Sequence, residues 1–334
     1  MRGEPTKDPA GPRKDDVVLL SRVAESVYWT GRYLERAEDI ARLLKVHTEL
    51  HLDLPKAVGP GWSPLLAVTG AAGAFHALHA RPTEEEVIGF LAIDADNPGS
   101  VLSSLARARA NLRTTRSVFA SESWHALNGF FQWALDTRDE AVDRRGRLRW
   151  MDGVVQRCHL LTGLMDGVMS HDHAYAFLAV GRNLERADMT TRVLDVQADI
   201  LLRSSDQLGP YADITWMSVL RSVTAGQMYR RTMGGGISGA QALAFLLKDA
   251  QFPRSVEHCL TVIARSLLEL PHSALPMAGC AELQSRLESA DVGALAFGGL
   301  KHWIDDLQTS IAALSETLSD SYFRVGSESL LRTA

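Results

Sequence analysis

Two stretches of this chain spell nearly the same helix. Residues 31–38 read Gly-Arg-Tyr-Leu-Glu-Arg-Ala-Glu, and residues 181–188, 150 positions later, read Gly-Arg-Asn-Leu-Glu-Arg-Ala-Asp. At about 100° per residue, Arg32, Glu35 and Arg36 share an arc with Tyr28, Trp29, Ile40, Leu43 and Val46. The opposite arc carries Val23, Leu34, Ala37, Ala41 and Leu44, so it is no more polar. In the second stretch Arg182, Glu185 and Arg186 fall among Leu178, Met189, Val193 and Val196. Each helix is therefore apolar on most sides and carries an Arg-Glu-Arg cluster among core residues. Charges are tolerated there only when paired and hydrogen-bonded.

The agreement continues at Arg42/Arg192, Leu44/Leu194 and Val46/Val196 and fades outside the helices, which argues against a many-unit solenoid. Helical periodicity runs through almost the whole chain and strand alternation is absent. The expected fold is all-α: a single bundle-like body over residues 17–328, with the pseudo-duplicated motif in helices 21–52 and 171–202. Further helices are expected near 65–80, from Thr83, from Ser100 to about 138 with room for a break, and at 146–168, 213–232, 238–249, 254–270, 281–290 and 300–323. Thr83 before Glu84-Glu85-Glu86 reads as a hydroxyl cap with an acidic first turn. Gly234-Gly235-Gly236 reads as a loop, because a phosphate-binding loop needs a preceding strand and a following Lys-Ser/Thr. Residues 1–16, polar and without an apolar core, read as a disordered tail rather than a signal peptide, and residues 329–334 as a C-terminal tail.

Composition narrows the function classes. A net charge of −5 argues against broad nucleic-acid binding. Arginine greatly outnumbers lysine, which suits buried ion pairs and bidentate anion recognition. Cys158, Cys259 and Cys280 lie far apart and read as buried thiols, neither disulfides nor zinc ligands. No apolar run reaches the roughly 18 residues of a membrane span. The expectation is a cytoplasmic protein with no membrane or nucleic-acid partner, no metal and no cofactor.

The segment Leu20 to Glu38 resembles the opening signature of the bacterial alpha-E family. So do the block from Asp96-Asn97-Pro98-Gly99-Ser100 through Arg107, Arg109 and Arg113, the segment Met169 to Asp195, and the Phe252-Pro253-Arg254-Ser255 turn. His171-Asp172-His173 departs from the pattern. The resemblance implies a helical domain encoded beside, or fused to, a circularly permuted ATP-grasp ligase-like protein and a transglutaminase-like protein. It thereby implies a part in an ATP-grasp-linked amide-ligation or peptide-modification system, acting through partner, acyl or peptide binding.

The Arg-Glu-Arg clusters admit two readings. As scaffold, the helices cross and each glutamate bridges arginines of both copies. As a site, Arg32, Arg36, Arg182 and Arg186 hold an anionic group, and Glu35 or Glu185 is the catalytic candidate of an enzyme acting on an anionic peptide-like substrate. Glu25 and Arg254 are secondary candidates. Asp96 and Asn97 read as turn and cap residues, with magnesium binding as the rival. Arg109, Arg113 and Arg116 are expected to pair with acidic residues. Asp172 is expected to start a helix rather than join His171 and His173 on a metal, and Ser255 to sit in a helix's first turn rather than act as a nucleophile.

Overall fold

A computed structural model describes residues 19–55, 59–198 and 211–324, and among them the ordered elements are all helical. The expected tails at 1–16 and 329–334, and the 199–202 end of the second repeat helix, lie outside the described residues. In chain order the helices are α1 Ser21–Asp53, α2 Ser63–Val68, α3 Ala72–Leu78, α4 Glu84–Ala92, α5 Val101–Thr114, α6 Ser121–Asp136, α7 Arg138–Val142 and α8 Arg147–Val168. Then follow α9 His173–Val193, α10 Ala212–Ser222, α11 Gly226–Met233, α12 Gly239–Lys248, α13 Val256–Leu268, α14 Ala274–Ser289, α15 Val292–Phe297 and α16 Leu300–Tyr322.

The two repeat helices form the axis of the body. From Thr30 to Leu44 nearly every residue of α1 is buried, as the all-round apolar pattern requires. Helix α1 packs against α9, α5, α8 and α10, while α9 also carries α13 and α16. The α1–α9 crossing is reciprocal. A Cβ on Gly31 would lie 2.5 Å from the Leu178 carbonyl oxygen, and one on Gly181 would collide with the Tyr28 carbonyl oxygen. Glycine at both positions lets the backbones approach more closely than any side chain allows.

Local chemistry sets the element ends. Thr83 caps α4 by accepting from Glu86 N–H, Ser100 caps α5, Asp172 caps α9 and Ser255 caps α13. The expected helix at 65–80 is two helices, because Gly70 takes a left-handed conformation (φ +67°) between α2 and α3. The segment at 213–232 breaks likewise at Thr224, at φ 56°. Helix α9 runs into a π-helical turn at Leu194–Ala198. Helix α14 starts earlier than expected, and the short α7 and α15 carry too little periodicity to be read from sequence.

Gly181→Ala should cost about 3 kcal/mol and lower the thermal midpoint by several degrees, since neither backbone can move without uncoupling the helices. Gly163→Ala, on α8 with open space around its Cβ, should instead stabilise by about 0.5–1 kcal/mol. Parallel calorimetric melts of the two variants check both signs.

Candidate functional site

At the crossing, α1 and α9 exchange charges. Arg32 donates through Nε to Glu185 Oε2 at 2.6 Å, and Arg36 grips the same carboxylate through Nε to Oε1 at 2.6 Å and Nη2 to Oε2 at 3.0 Å. Arg32 also donates to the Tyr28 hydroxyl and to Ser315 of α16. Glu185 thus takes both arginines of the first motif and none of its own, where the sequence suggested a bridge between the copies. Burial alone would raise the Glu185 carboxyl, but Arg32 and Arg36 outweigh it and hold the group down, at about 2.

Glu35 is answered differently. Its Oε1 lies 2.9 Å from Arg186 Nε and 2.5 Å from Arg254 Nη1, at ion-pair distance but off hydrogen-bonding angle. Arg254 arrives from the loop before α13 and spreads over the next turn of α1, donating to Glu38 Oε1 and Asp39 Oδ1 at 2.6 Å each. Arg42 donates to the same two carboxylates, and His159 of α8 approaches Glu38 at 2.9 Å. The result is a buried network of Glu35, Glu38 and Asp39 with Arg42, Arg186 and Arg254.

Glu38 is held well below the usual carboxylate range: burial raises it, and Arg254 and Arg42 outweigh burial. Asp39 goes the other way. Burial, reinforced by the adjacent Glu35 and Glu38, raises it to about 7 against the pull of Arg254 and Arg42, and its Oδ2 has no hydrogen-bond partner among the described residues.

Glu38 and Asp39, which sequence reasoning passed over although both stand one turn from Arg42, pair with Arg42 and Arg254 and not with the arginines of the two triads. Arg182 forms no ion pair among the described residues; it lies beside Tyr175 and Arg186. Glu25 stays outside the network. Asp96 is exposed and donates its N–H to Asp94 Oδ1. Asn97 is buried, donating to the Phe90 carbonyl and accepting from Gly99 N–H, so both are spent on the turn. Asp172 caps α9 while His171 stacks on Tyr175.

Arg109 and Arg113 of α5, with Arg116 in the turn after it, correct the expected acidic pairing. Arg109 donates to Asn128 and lies over Trp124 and Phe131, Arg116 lies 4.0 Å from the Trp124 ring centre, and Arg113 is exposed. The cause is that α6 turns an aromatic face to them. All three cysteines are buried thiols; burial pushes Cys259 up to about 12 and Cys280 to about 11, leaving them protonated at neutral pH.

Beside Glu185 the surface opens into a cleft of about 430 Å³. Arg36, Arg107 and Arg192 reach it against two carboxylates, Glu185 and Asp188, and the Asn97-Pro98-Gly99 turn forms one wall. Arg192 is paired with Asp188 at 3.0 Å. Arg107 is exposed, makes no ion pair among the described residues, and lies 5.8 Å from the Tyr33 ring centre. Arg107, Asp188 and Arg192 are not among the site residues read from the sequence, since only the folded chain shows which side chains border the cleft.

Residues 19–323 match a family described as a predicted alpha-helical domain with a conserved ER motif. The chain's two Glu-Arg dipeptides are Glu35-Arg36 and Glu185-Arg186, the residues of the crossing. Similar curated proteins are uncharacterised proteins of Mycobacterium bovis and Mycobacterium tuberculosis, 24% identical over 331 residues covering 91% of this chain. The chain spans about a third of their length, 36%. No solved structure matches it.

Two substitutions separate the halves of the network. Glu185→Gln should cost on the order of 3–5 kcal/mol at pH 7, because it leaves the buried Arg32 and the half-buried Arg36 without their counter-charge. That contribution is present above about pH 4.5 and lost as pH falls toward about 2, the window between the ordinary and the folded value. Asp39 has the opposite sign. Its stabilisation is full below its ordinary 3.8 and is lost as pH rises toward about 7. Asp39→Asn should therefore gain on wild type by on the order of 3 kcal/mol between pH 4 and pH 7. Urea titrations of both variants across this range check the two slopes.

Proposed function

The chain belongs to the alpha-E family, and on that premise we propose that it is a binding component, not itself a catalyst, of an ATP-grasp-linked amide-ligation or peptide-modification system. It presents an acyl- or peptide-bearing substrate to a ligase-like or transglutaminase-like partner. The observation that carries this reading is the contrast between closed clusters and an open cleft. Both Glu-Arg pairs are neutralised by ion pairs within the chain, while about 430 Å³ of space opens beside one of them. A general base works best with a pKa near the operating pH and with access to the proton it takes. Glu185, held at about 2, lacks the first, and Asp39, 1% exposed, lacks the second. The rival reading, an enzyme built on the buried Arg/Glu cluster, would require one of these carboxylates to reach substrate. The mycobacterial relatives extend far beyond the matched region, which accords with an alpha-E region working beside other activities.

The test is reconstitution with an ATP-grasp ligase-like protein and a transglutaminase-like protein. ATP consumption and amide formation on an acyl-peptide are measured with and without this chain. Product formation should rise at least tenfold when the chain is added, the gain expected when a bound substrate is held in place. Equal rates without it would remove the role, and turnover by the chain alone would favour the enzyme.

A further inference from the structure

Two loops of the chain are cut to one pattern. Asp94-Ala-Asp-Asn-Pro-Gly-Ser100 leads into α5, and Asp249-Ala-Gln-Phe-Pro-Arg-Ser255 leads into α13. In both, the serine hydroxyl caps its helix at 3.1 Å, accepting from Ser103 N–H and His258 N–H respectively. In both, the same hydroxyl donates back to the carbonyl of the first aspartate, Asp94 or Asp249. Helix α5 then packs on α1 as α13 packs on α9. By this correspondence Gly99 stands where Arg254 stands.

The surroundings correspond as well. Arg254 is held by Glu35, Glu38 and Asp39 of α1. The matching residues of α9 are Glu185, Asp188 and Met189, and all three line the cleft together with Gly99. The cleft is thus the space that an arginine fills in the other half of the molecule.

Its charge shows that it does not await a second arginine. Met189 replaces the carboxylate of Asp39, Glu185 already holds Arg32 and Arg36, and Asp188 holds Arg192. On α5, Arg107 takes the position that Val262 has on α13, adding a guanidinium without an ion-pair partner among the described residues. Loss of one carboxylate and gain of one cation turn a cation-binding pocket into an anion-binding one. Ile40, Leu91 and Met189 supply the apolar part of the wall.

We infer that this cleft binds a small molecule or chain end carrying an oxyanion on a short apolar body, with the oxyanion on Arg107 and the body against Ile40, Leu91 and Met189. Carboxylate and phosphate share this chemistry. The inference rests on the reading of the chain as a binding component and names what it binds.

The experiment is an NMR-monitored titration of the full chain with N-acetyl-leucine, its carboxamide, and isopentyl phosphate. N-acetyl-leucine should bind, with the uncharged amide and the Arg107→Gln variant each weaker by about tenfold or more. The decisive variant is Gly99→Met. A Cβ there meets Asn97 Oδ1 at 3.4 Å, and a long uncharged side chain occupies cleft space without adding a guanidinium to Arg36, Arg107 and Arg192. It should weaken binding of N-acetyl-leucine by about tenfold or more while circular dichroism shows the fold kept. Tighter binding of isopentyl phosphate than of N-acetyl-leucine would support the inference with a phosphate as the natural head group, and the reverse order would support it with a carboxylate.

Equal affinity for acid and amide, unweakened binding by Gly99→Met, or no binding of any probe by wild type would each overturn it. Gly99→Met is also run in the reconstituted amide-forming assay. Activity that needs the chain but ignores this substitution removes the cleft and leaves the component role. Activity that does not need the chain removes the role itself.

Discussion

The crossing of α1 and α9 at Gly31 and Gly181 is the contact on which the rest of the molecule depends. With no side chain at either position the two backbones lie almost in contact. Only at that separation do arginines of one helix reach the glutamate of the other, and the glutamates so placed are buried. A buried ion pair contributes little when complete and costs much when one partner is removed. The glycines and the charges therefore enforce each other: a wider crossing would strand the glutamates, and missing arginines would make the close crossing unfavourable.

The network also ties distant parts of the chain to this crossing. Ser315 of α16 receives an N–H from Arg32, and Arg254 reaches α1 from the loop before α13, more than two hundred residues along the chain. Burial and crowding act unequally on the carboxylates. Glu185, with two guanidiniums to itself, stays ionised to low pH, whereas Asp39, between Glu35 and Glu38 and fully enclosed, has its proton held toward neutrality. One side of the crossing is thus saturated with charge and sealed by Arg254. The other, where glycine stands in the corresponding loop, is open.

This asymmetry matters more for function than the clusters themselves. The family is described by its ER motif, and in this chain the motif's charges are consumed in holding the helices together. What the motif leaves available is geometry: a rigid, ion-paired wall at the base of a cleft. Such a wall presents fixed dipoles and charges without the reorganisation that free side chains would need.

Much of the fold was legible in the residues alone, because its determinants act over a few positions. The all-round apolar pattern of residues 21–53 and 173–193 required buried helices, and charges within it required partners. Thr83 and Asp172 announced helix starts through hydroxyl or carboxylate caps, while Ser255, read as a first-turn residue, is the cap itself. Breaks at Gly70 and Thr224 were less visible, since a left-handed residue is chosen by how the flanking helices pack. The identity of each charge's partner was not legible at all. Arg254 could be recognised as part of a motif but not as the counter-ion of Glu35, Glu38 and Asp39, and Arg107 looked like any other arginine of α5. The sequence by itself determined that this chain is helical and must bury two charged clusters, since periodicity and desolvation are properties of neighbouring residues. Only the tertiary structure decided which cluster is sealed and which borders an open cleft, because pairing energy depends on distances across the chain that no local pattern encodes.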